Sequence, residues 1–259
     1  MAADPRVIAI DTSRSTGSVA VLVAAEAQPR VVFEETFASR ADHARLLAPA
    51  VGRGVRASGG PLAADDLLAV VTGPGSFTGL RVGVTTAKLL AWSSDAALVA
   101  VSGFEILARA AAAWLAEEAG RDGPAAGPLQ LAFAAGRGEV YAAEAVTRAD
   151  HPGGWRCSEP VILDAGQWAA GLPGGASVAV GSPESAGAIV ELFSGRDDLL
   201  RVPPQAVSTS ATDAGRLGLL RAAAGCLDDP AGVVPDYLRP SYAEEPKAAG
   251  VVERRRPID

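Results

Sequence analysis

A buried strand that runs into a hydroxyl-rich turn is the feature that most constrains the fold of this chain. Residues Val7 to Ile10 form a continuous apolar run, and the turn from Asp11 to Gly17 follows directly. Three valines at alternate positions come next, from Val19 to Val23, a pattern typical of a β-hairpin. With a third strand over Val31 to Phe37, the sequence predicts an antiparallel meander whose first strand is buried on both faces.

Helical and strand-like segments alternate after this meander. Asp42 is expected to cap the first helix, and Pro49 to kink it or restart it. Ser102 and Glu105 have the spacing of a capping box that opens the last helix of this half. The predicted elements are a helix over His43 to Val55, a strand over Leu68 to Thr72, a helix over Phe77 to Trp92, a strand over Ala97 to Val101 and a helix to Glu118.

A glycine- and proline-rich stretch from Gly120 to Pro128 is the predicted linker. The element order then partly repeats. The expected elements are strands over Leu129 to Ala134 and Val140 to Val146, a segment near Val161, a helix capped by Asp164, a strand over Val178 to Val180, a helix from Ser185 and a helix over Ala211 to Cys226.

This order predicts an α/β protein with two lobes of the actin-like type, the fold of sugar kinases, Hsp70 and actin, in which helices flank mixed sheets. We expect the first lobe to span residues 1–102 and the second 103–209. Residues 210–245 are expected to form a helix and a segment that return to the first lobe, and residues 246–259 a flexible tail.

Charge and composition exclude several classes of function. A net charge of −7 and a pI near 5.0 argue against a protein that grips a nucleic-acid backbone through its overall field. Cys157 and Cys226 give neither a disulfide framework nor a zinc motif. Because the N-terminus has no signal-peptide pattern and no apolar run reaches about 18 residues, we expect a cytoplasmic protein without a membrane span.

Two loops are candidates for weak phosphate or nucleotide contact. Asp11, Thr12 and Ser13 form the tip of the first hairpin, where a carboxylate and backbone amides could hold a phosphate and its metal ion. Gly73, Gly75 and Ser76 join a strand to a helix N-terminus, which favours anions, although no lysine follows as in a P-loop. The alternative is that both segments are simply demanding turns.

Small residues recur every four positions along the helix after the second loop, at Gly79, Gly83, Ala87 and Ala91. Each helical glycine costs about 1 kcal/mol relative to alanine, so close packing should offset the cost. The strip could admit a partner helix, or it could pack on this protein's own sheet or on the His43 helix. Under the first interpretation the partner-docking residues are His43, Leu46, Leu47, Val51, Gly79, Leu80, Gly83, Ala87 and Ala91.

The sequence lacks the motifs of ordinary hydrolases and metalloenzymes: it contains no G-x-S-x-G, H-E-x-x-H or H-x-x-x-H pattern. His43 and His151 are the only histidines. Glu139 and Tyr141 form the best remaining polar pair, on one face of a strand. A basic segment around His43, which includes Arg45 and Arg53, suits an acidic partner or RNA, or is solvated helix charge.

These motifs together resemble the bacterial TsaB (YeaZ) family over roughly the first 145 residues. The residues that carry the resemblance are Ile8 to Ser13, His43 with Leu46, Leu47 and Pro49, Gly73 to Gly83, and Arg137 to Tyr141. The C-terminal hundred residues resemble it loosely, through Pro235 to Arg239. Two departures are Ala48 in place of a large aliphatic residue, and the run 134–136 in place of an aspartate.

The resemblance implies an actin-like fold and a part in making threonylcarbamoyladenosine beside the tRNA anticodon. It implies docking through paired helices to the related transferase TsaD, with a TsaE-like ATPase in the complex and tRNA as an indirect partner. We also expect the same helices to pair two copies of this chain as a homodimer when TsaD is absent. Gly103 and Leu107 stand where TsaD carries its metal-binding histidines, so no metal site is expected. The chain would have no cofactor of its own, although ATP or ADP could bind at the complex interface.

The sequence therefore favours a non-catalytic partner subunit. One alternative is an independent enzyme, either a kinase-like protein that binds ATP through Asp11 or a peptidase-like protein of the same fold. Another is a structural homodimer without a partner.

Overall fold

A computed structural model of the chain describes residues 5–24, 29–38, 40–117, 127–207 and 209–238. These residues form two mixed β-sheets flanked by helices, with an apolar core on each face of both sheets. Most of the predicted linker, Arg239 and the predicted tail lie outside the described residues.

The first sheet contains the predicted meander. Its strands are β1 (Arg6–Asp11), β2 (Gly17–Val23), β3 (Arg30–Phe37), β4 (Leu67–Gly73) and β5 (Ala97–Ser102). Their order is β3-β2-β1-β4-β5, with the first three antiparallel and β4 and β5 parallel to β1. All six residues of β1 are buried, which confirms that helices cover both faces of the central strand.

Two helices pack together on one face of this sheet: α1 (Arg40–Ala57), which follows β3, and α2 (Phe77–Ser94), which follows β4. The start predicted for α1 is wrong by about three residues. Asp42 lies in the first turn of α1 and pairs with Arg45 at 2.6 Å, so it is not the predicted cap. Pro49 lies inside the helix.

A third helix, α3 (Gly103–Glu117), leads into the second sheet. The strands of this sheet are β6 (Leu129–Gly136), β7 (Glu139–Thr147), β8 (Trp155–Cys157), β9 (Val161–Asp164), β10 (Ser177–Val180) and β11 (Leu200–Val202). The order is β11-β10-β6-β7-β8, and β9 pairs with β7 beside β8. The sequence did not predict β8 or β11, because three residues are too few for an alternating pattern to show.

The remaining helices cover the second sheet and return to the first. They are α4 (Ala165–Gly171), α5 (Pro183–Glu191), a single 3-10 turn (Pro204–Ala206) and α6 (Ala211–Ala223). Asp164 caps α4 as predicted, since its side chain accepts a hydrogen bond from the Gln167 amide at 2.9 Å. Helix α6 packs on the face of the first sheet opposite α1 and α2.

Candidate docking surface and interlobe cleft

The turn after β1 is held by its own side chains. The buried Asp11 carboxylate accepts hydrogen bonds from the Ser13 amide at 2.9 Å and the Ser13 hydroxyl at 2.7 Å. This is the local bonding that favours aspartate at a turn. The geometry therefore supports the turn interpretation of Asp11, because the carboxylate's hydrogen bonds are made inside the hairpin tip.

The hairpin tip is also bound to the start of α2. The Thr12 hydroxyl donates to the Gly79 carbonyl at 2.7 Å, and the Ser76 amide donates to the Ser13 carbonyl at 2.6 Å. A Cβ atom on Gly75 would collide with the Ser13 carbonyl. The two loops predicted as phosphate contacts, Asp11 to Ser13 and Gly73 to Ser76, thus lie together and bond to each other.

Arg14 lies in the cleft between the lobes, a cavity of about 250 Å³. Its side chain is buried, and its guanidinium carbon lies 4.0 Å from the centre of the Phe133 ring. It donates to the Thr209 hydroxyl at 2.7 Å and to the Ser182 hydroxyl. A cation stacked on an aromatic ring inside a desolvated site is stabilised by about 2 kcal/mol or more. Arg14 was not predicted as a site residue, although it stands three residues after Asp11.

The second lobe contributes Tyr141 to the same cleft. Burial raises the pKa of its hydroxyl, so the group is neutral at physiological pH. The described part of the chain contains no group of three His, Cys, Asp or Glu side chains arranged to hold a metal ion.

The strip of small residues on α2 faces the protein's own first sheet. A Cβ atom on Gly79 would collide with the Thr12 carbonyl, and one on Gly83 would collide with the Thr12 hydroxyl. Ala87 and Ala91 are buried in the core beneath the two helices. The interpretation that the strip admits a partner helix is therefore wrong. The alternative, that it packs on the protein's own sheet, is correct.

The residues predicted on α1 also point mostly inward. His43 is buried, and its Nε2 atom lies 3.2 Å from the Ser15 carbonyl oxygen. Leu47, Val51 and, on α2, Leu80 are buried as well, and Leu46 is half-buried. Of the nine residues predicted to dock a partner, only Leu46 keeps appreciable exposure.

The exposed face of α2 carries a different apolar pair. Leu89 is 57% exposed and Trp92 is 55% exposed, both on the side of the helix away from the buried strip. Beside this face, a groove of about 400 Å³ separates α2 from α1. Its lining residues are Ala48, Val51, Gly52, Val55, Pro61, Leu62, Thr86, Leu90, Ser93 and Ser94. We call the groove and the pair Leu89 and Trp92 the α1–α2 surface.

A buried ion pair supports one wall of this groove. Arg6 and Asp66 are both buried, with Nη2 and Oδ2 2.5 Å apart. Arg6 also donates to the carbonyls of Ser58, Gly60 and Pro61, in the loop after α1. Burial opposes ionisation of Asp66, but hydrogen bonds from Arg6 and from the Ala63 amide outweigh it and hold the pKa below its ordinary value.

The basic segment predicted around His43 is partly paired with acids. Arg53 makes two hydrogen bonds to Glu35, at 2.6 and 2.9 Å, and Arg45 bonds to Asp42. Exposed ion pairs of this kind contribute little to stability. This segment is therefore less positive than its arginines alone suggest.

Comparison with known proteins gives matches in both sequence and structure. The family model of TsaD, tRNA N6-adenosine threonylcarbamoyltransferase, matches residues 33–155. The tRNA threonylcarbamoyladenosine biosynthesis protein TsaB of Bacillus subtilis is 39% identical over 104 residues, and that of Haemophilus influenzae is 35% identical over 104 residues. These matches cover 39% and 40% of this chain and 43% and 42% of the two relatives, less than half of each.

The structural matches extend over most of the chain. YeaZ from Pseudomonas aeruginosa gives a TM-score of 0.63 at 25% identity, over 90% of this chain and 100% of that one. A second structure, described as an uncharacterized protein with similarity to peptidase YEAZ from Pseudomonas aeruginosa, gives 0.64 at 24% identity, over 91% and 100%. The latter likeness shows the fold alone.

These findings define the class first: the chain is a two-lobed α/β protein of the actin-like fold, as predicted. The resemblance to the TsaB (YeaZ) family is also confirmed, by its curated relatives in sequence and by YeaZ in structure. Within the described residues, no helix has the length and apolar character needed to cross a membrane.

Proposed function

We propose that this chain is a cytoplasmic, non-catalytic subunit of the complex that transfers threonylcarbamoyl to the adenosine next to the anticodon of tRNA. In this role it binds and activates a TsaD-like transferase, and a TsaE-like ATPase joins the same complex. The names of its relatives support the pathway. The observation that carries the docking role is the exposed pair Leu89 and Trp92 beside the apolar groove between α1 and α2.

The TsaD family model supports the choice of partner. Its match to residues 33–155 includes both α1 and α2, so a TsaD-like protein is expected to carry an equivalent helix pair. Two related helix pairs can pack around a pseudo-two-fold axis, as identical surfaces do in a symmetric dimer. In the absence of TsaD, the same surface would pair two copies of this chain.

The interlobe cleft supports a subunit without a cofactor of its own. The Arg14 guanidinium stacks on Phe133 within the cleft and bonds to hydroxyls of the second lobe. A nucleotide would have to displace these contacts. ATP or ADP would therefore bind only at the interface with the partner, and tRNA would be reached through the partner.

Replacing Leu89 with Glu tests the docking surface. A carboxylate at the centre of an apolar interface would be desolvated without a partner, so binding to the TsaD-like protein of the same organism should weaken by more than about 30-fold. Calorimetry measures the dissociation constant. The thermal midpoint of the free chain should hardly change, because exposed substitutions usually alter stability by about 0.5 kcal/mol or less.

The matched control is Leu192→Glu, which makes the same substitution at a 43% exposed leucine in the second lobe. It should leave affinity unchanged. Equal affinity of Leu89→Glu and the wild type would refute the assignment of the α1–α2 surface as the docking site. Reconstituted tRNA modification should depend on this chain and be lost with Leu89→Glu; full modification without the chain would refute the activating role.

A further inference from the structure

The segment after α6 returns to the first sheet and ends against α2. We call residues Asp228 to Leu238 the C-terminal strap. The Asp228 amide donates to the Leu98 carbonyl at 2.9 Å, and its carboxylate accepts from the Ala100 amide at 2.8 Å. Val233 is buried in the same core as α1 and α2. The first half of the strap is thus fixed to the edge strand β5 and to the core.

The second half is fixed to the end of β4 and the start of α2. The Asp236 amide donates to the Thr72 carbonyl at 2.8 Å, and the Thr72 hydroxyl donates to the Asp236 carboxylate at 2.8 Å. The Tyr237 ring lies 4.6 Å from the Phe77 ring, and Arg81 donates to the Tyr237 hydroxyl at 2.9 Å. Tyr237 still keeps 42% of its surface exposed.

Lys88 connects the strap to the exposed face of α2. Its ammonium donates to the carbonyls of Val233 at 2.8 Å and Ala231 at 3.2 Å. The same nitrogen lies 5.7 Å from the centre of the Trp92 ring, within the range of a cation–π contact. Because Lys88 and Trp92 are four residues apart on a helix, their side chains are neighbours.

These contacts place the strap on one side of Leu89 and Trp92, while α1 lies on the other. On the helical wheel of α2, Arg81 and Lys88 face the strap, whereas Thr86 and Leu90 line the groove with α1. The exposed pair Leu89 and Trp92 is therefore flanked by α1 on one side and by the strap on the other. Tyr237 contacts the first turns of α2, and Trp92 lies near its last turn, so the strap runs along most of the length of the helix.

We infer that the strap is the second wall of the α1–α2 surface and that Lys88 is a positioning residue for the TsaD-like partner. The inference rests on the proposed function. Lys88 holds the strap carbonyls with two of its three donors and limits the motion of the Trp92 ring. A side chain already ordered in the free protein loses less entropy when a partner binds it. Lys88 thus acts through Trp92 and the strap.

The test replaces Lys88 with Met in the full chain, which keeps the apolar stem and removes the charge and the donors. Affinity for the TsaD-like protein should fall about fivefold, mainly through faster dissociation. Amide hydrogen exchange at Asp236 should accelerate in the free chain. Lys88→Arg, which restores a cation with several donors, should recover most of the affinity.

The control is Arg216→Met on α6, which removes a half-exposed cation on the opposite face of the first sheet. Its affinity should match the wild type. Tyr237→Phe supplies a second variant should Lys88→Met fold poorly, since it deletes only the hydroxyl bonded to Arg81. It should weaken binding about twofold.

Unchanged affinity in Lys88→Met and in Tyr237→Phe, with binding still lost in Leu89→Glu, would overturn the inference and leave the proposed function standing. Failure of the wild-type chain to bind the TsaD-like protein would instead refute the proposed function. The fivefold loss together with faster exchange at Asp236 supports the inference.

Discussion

The cleft between the lobes and the groove between α1 and α2 differ in what fills them. In the cleft, the chain supplies its own cation, Arg14, stacked on Phe133 and bonded to two hydroxyls. At the groove, the lining is largely apolar, and Leu89 and Trp92 stand exposed beside it. In this molecule the chain's own Arg14 occupies part of the interlobe cleft, while the exposed face of α2 carries two apolar side chains.

The glycines of α2 and α1 also differ in how much space surrounds them. Gly79 and Gly83 let α2 approach the backbone of the hairpin tip, where any Cβ atom would collide. At Gly52 in the groove, an added Cβ would meet only the end of the Arg56 side chain, at 3.4 Å. The small residues on α2 thus pack against the interior, and the surface proposed to dock a partner lies on the other face of the helix.

Arg14→Ala should give the largest effect that separates the two regions. It removes the stacked cation and leaves the hydroxyls of Ser182 and Thr209 without that donor, which should cost about 2 kcal/mol. For a chain of this size the thermal midpoint should fall by roughly 5 °C. Affinity for the TsaD-like protein should stay unchanged, since the cleft shares no lining residue with the groove between α1 and α2.

Scanning calorimetry and binding measurements on the same preparation check both parts. An unchanged midpoint would mean that Arg14 does not hold the lobes together. A lower affinity at an unchanged midpoint would assign the cleft to the partner interface.

Alanine at Gly83, which packs against Thr12, and at Gly52, which lines the groove, should change stability by smaller amounts. Gly83→Ala gains helix propensity but forces the Thr12 hydroxyl away from its bond to the Gly79 carbonyl, so it should destabilise by about 1 kcal/mol. Gly52→Ala should stabilise by about 0.5–1 kcal/mol, since only the propensity changes. Thermal unfolding of the free chain measures both. A stabilising Gly83→Ala would show that the strip accommodates a Cβ atom without displacing Thr12.

The sequence predicted most of the elements because their patterns are local. The meander, the alternating helices and strands of the first lobe and the cap at Asp164 follow from runs, alternation and capping residues. The start of α1 was misplaced because Asp42 is a good cap residue that instead bonds to Arg45 three residues on. Strands β8 and β11 were missed because each has only three residues.

The site was harder to predict because a helical period shows which residues share a face, but not what that face meets. Gly79, Gly83, Ala87 and Ala91 do share a face, yet it packs on β1 and its hairpin tip. Arg14 was missed since its partners are about 120 to 195 positions away in sequence. The C-terminal strap has no periodicity, and only its long-range bonds reveal its place.

Thiol footprinting at Thr85 tests the docking claim most directly. Thr85 is exposed on the same face of α2 as Leu89 and Trp92, so Thr85→Cys adds a reactive thiol inside the proposed interface. The exposed Cys226 serves as an internal control, and burial raises the pKa of Cys157 to about 12, which keeps it unreactive near neutral pH. As the TsaD-like protein is added, labelling of the new thiol should fall in proportion to the bound fraction while Cys226 keeps its rate. Equal labelling of the new thiol in the free chain and in the saturated complex would contradict the account.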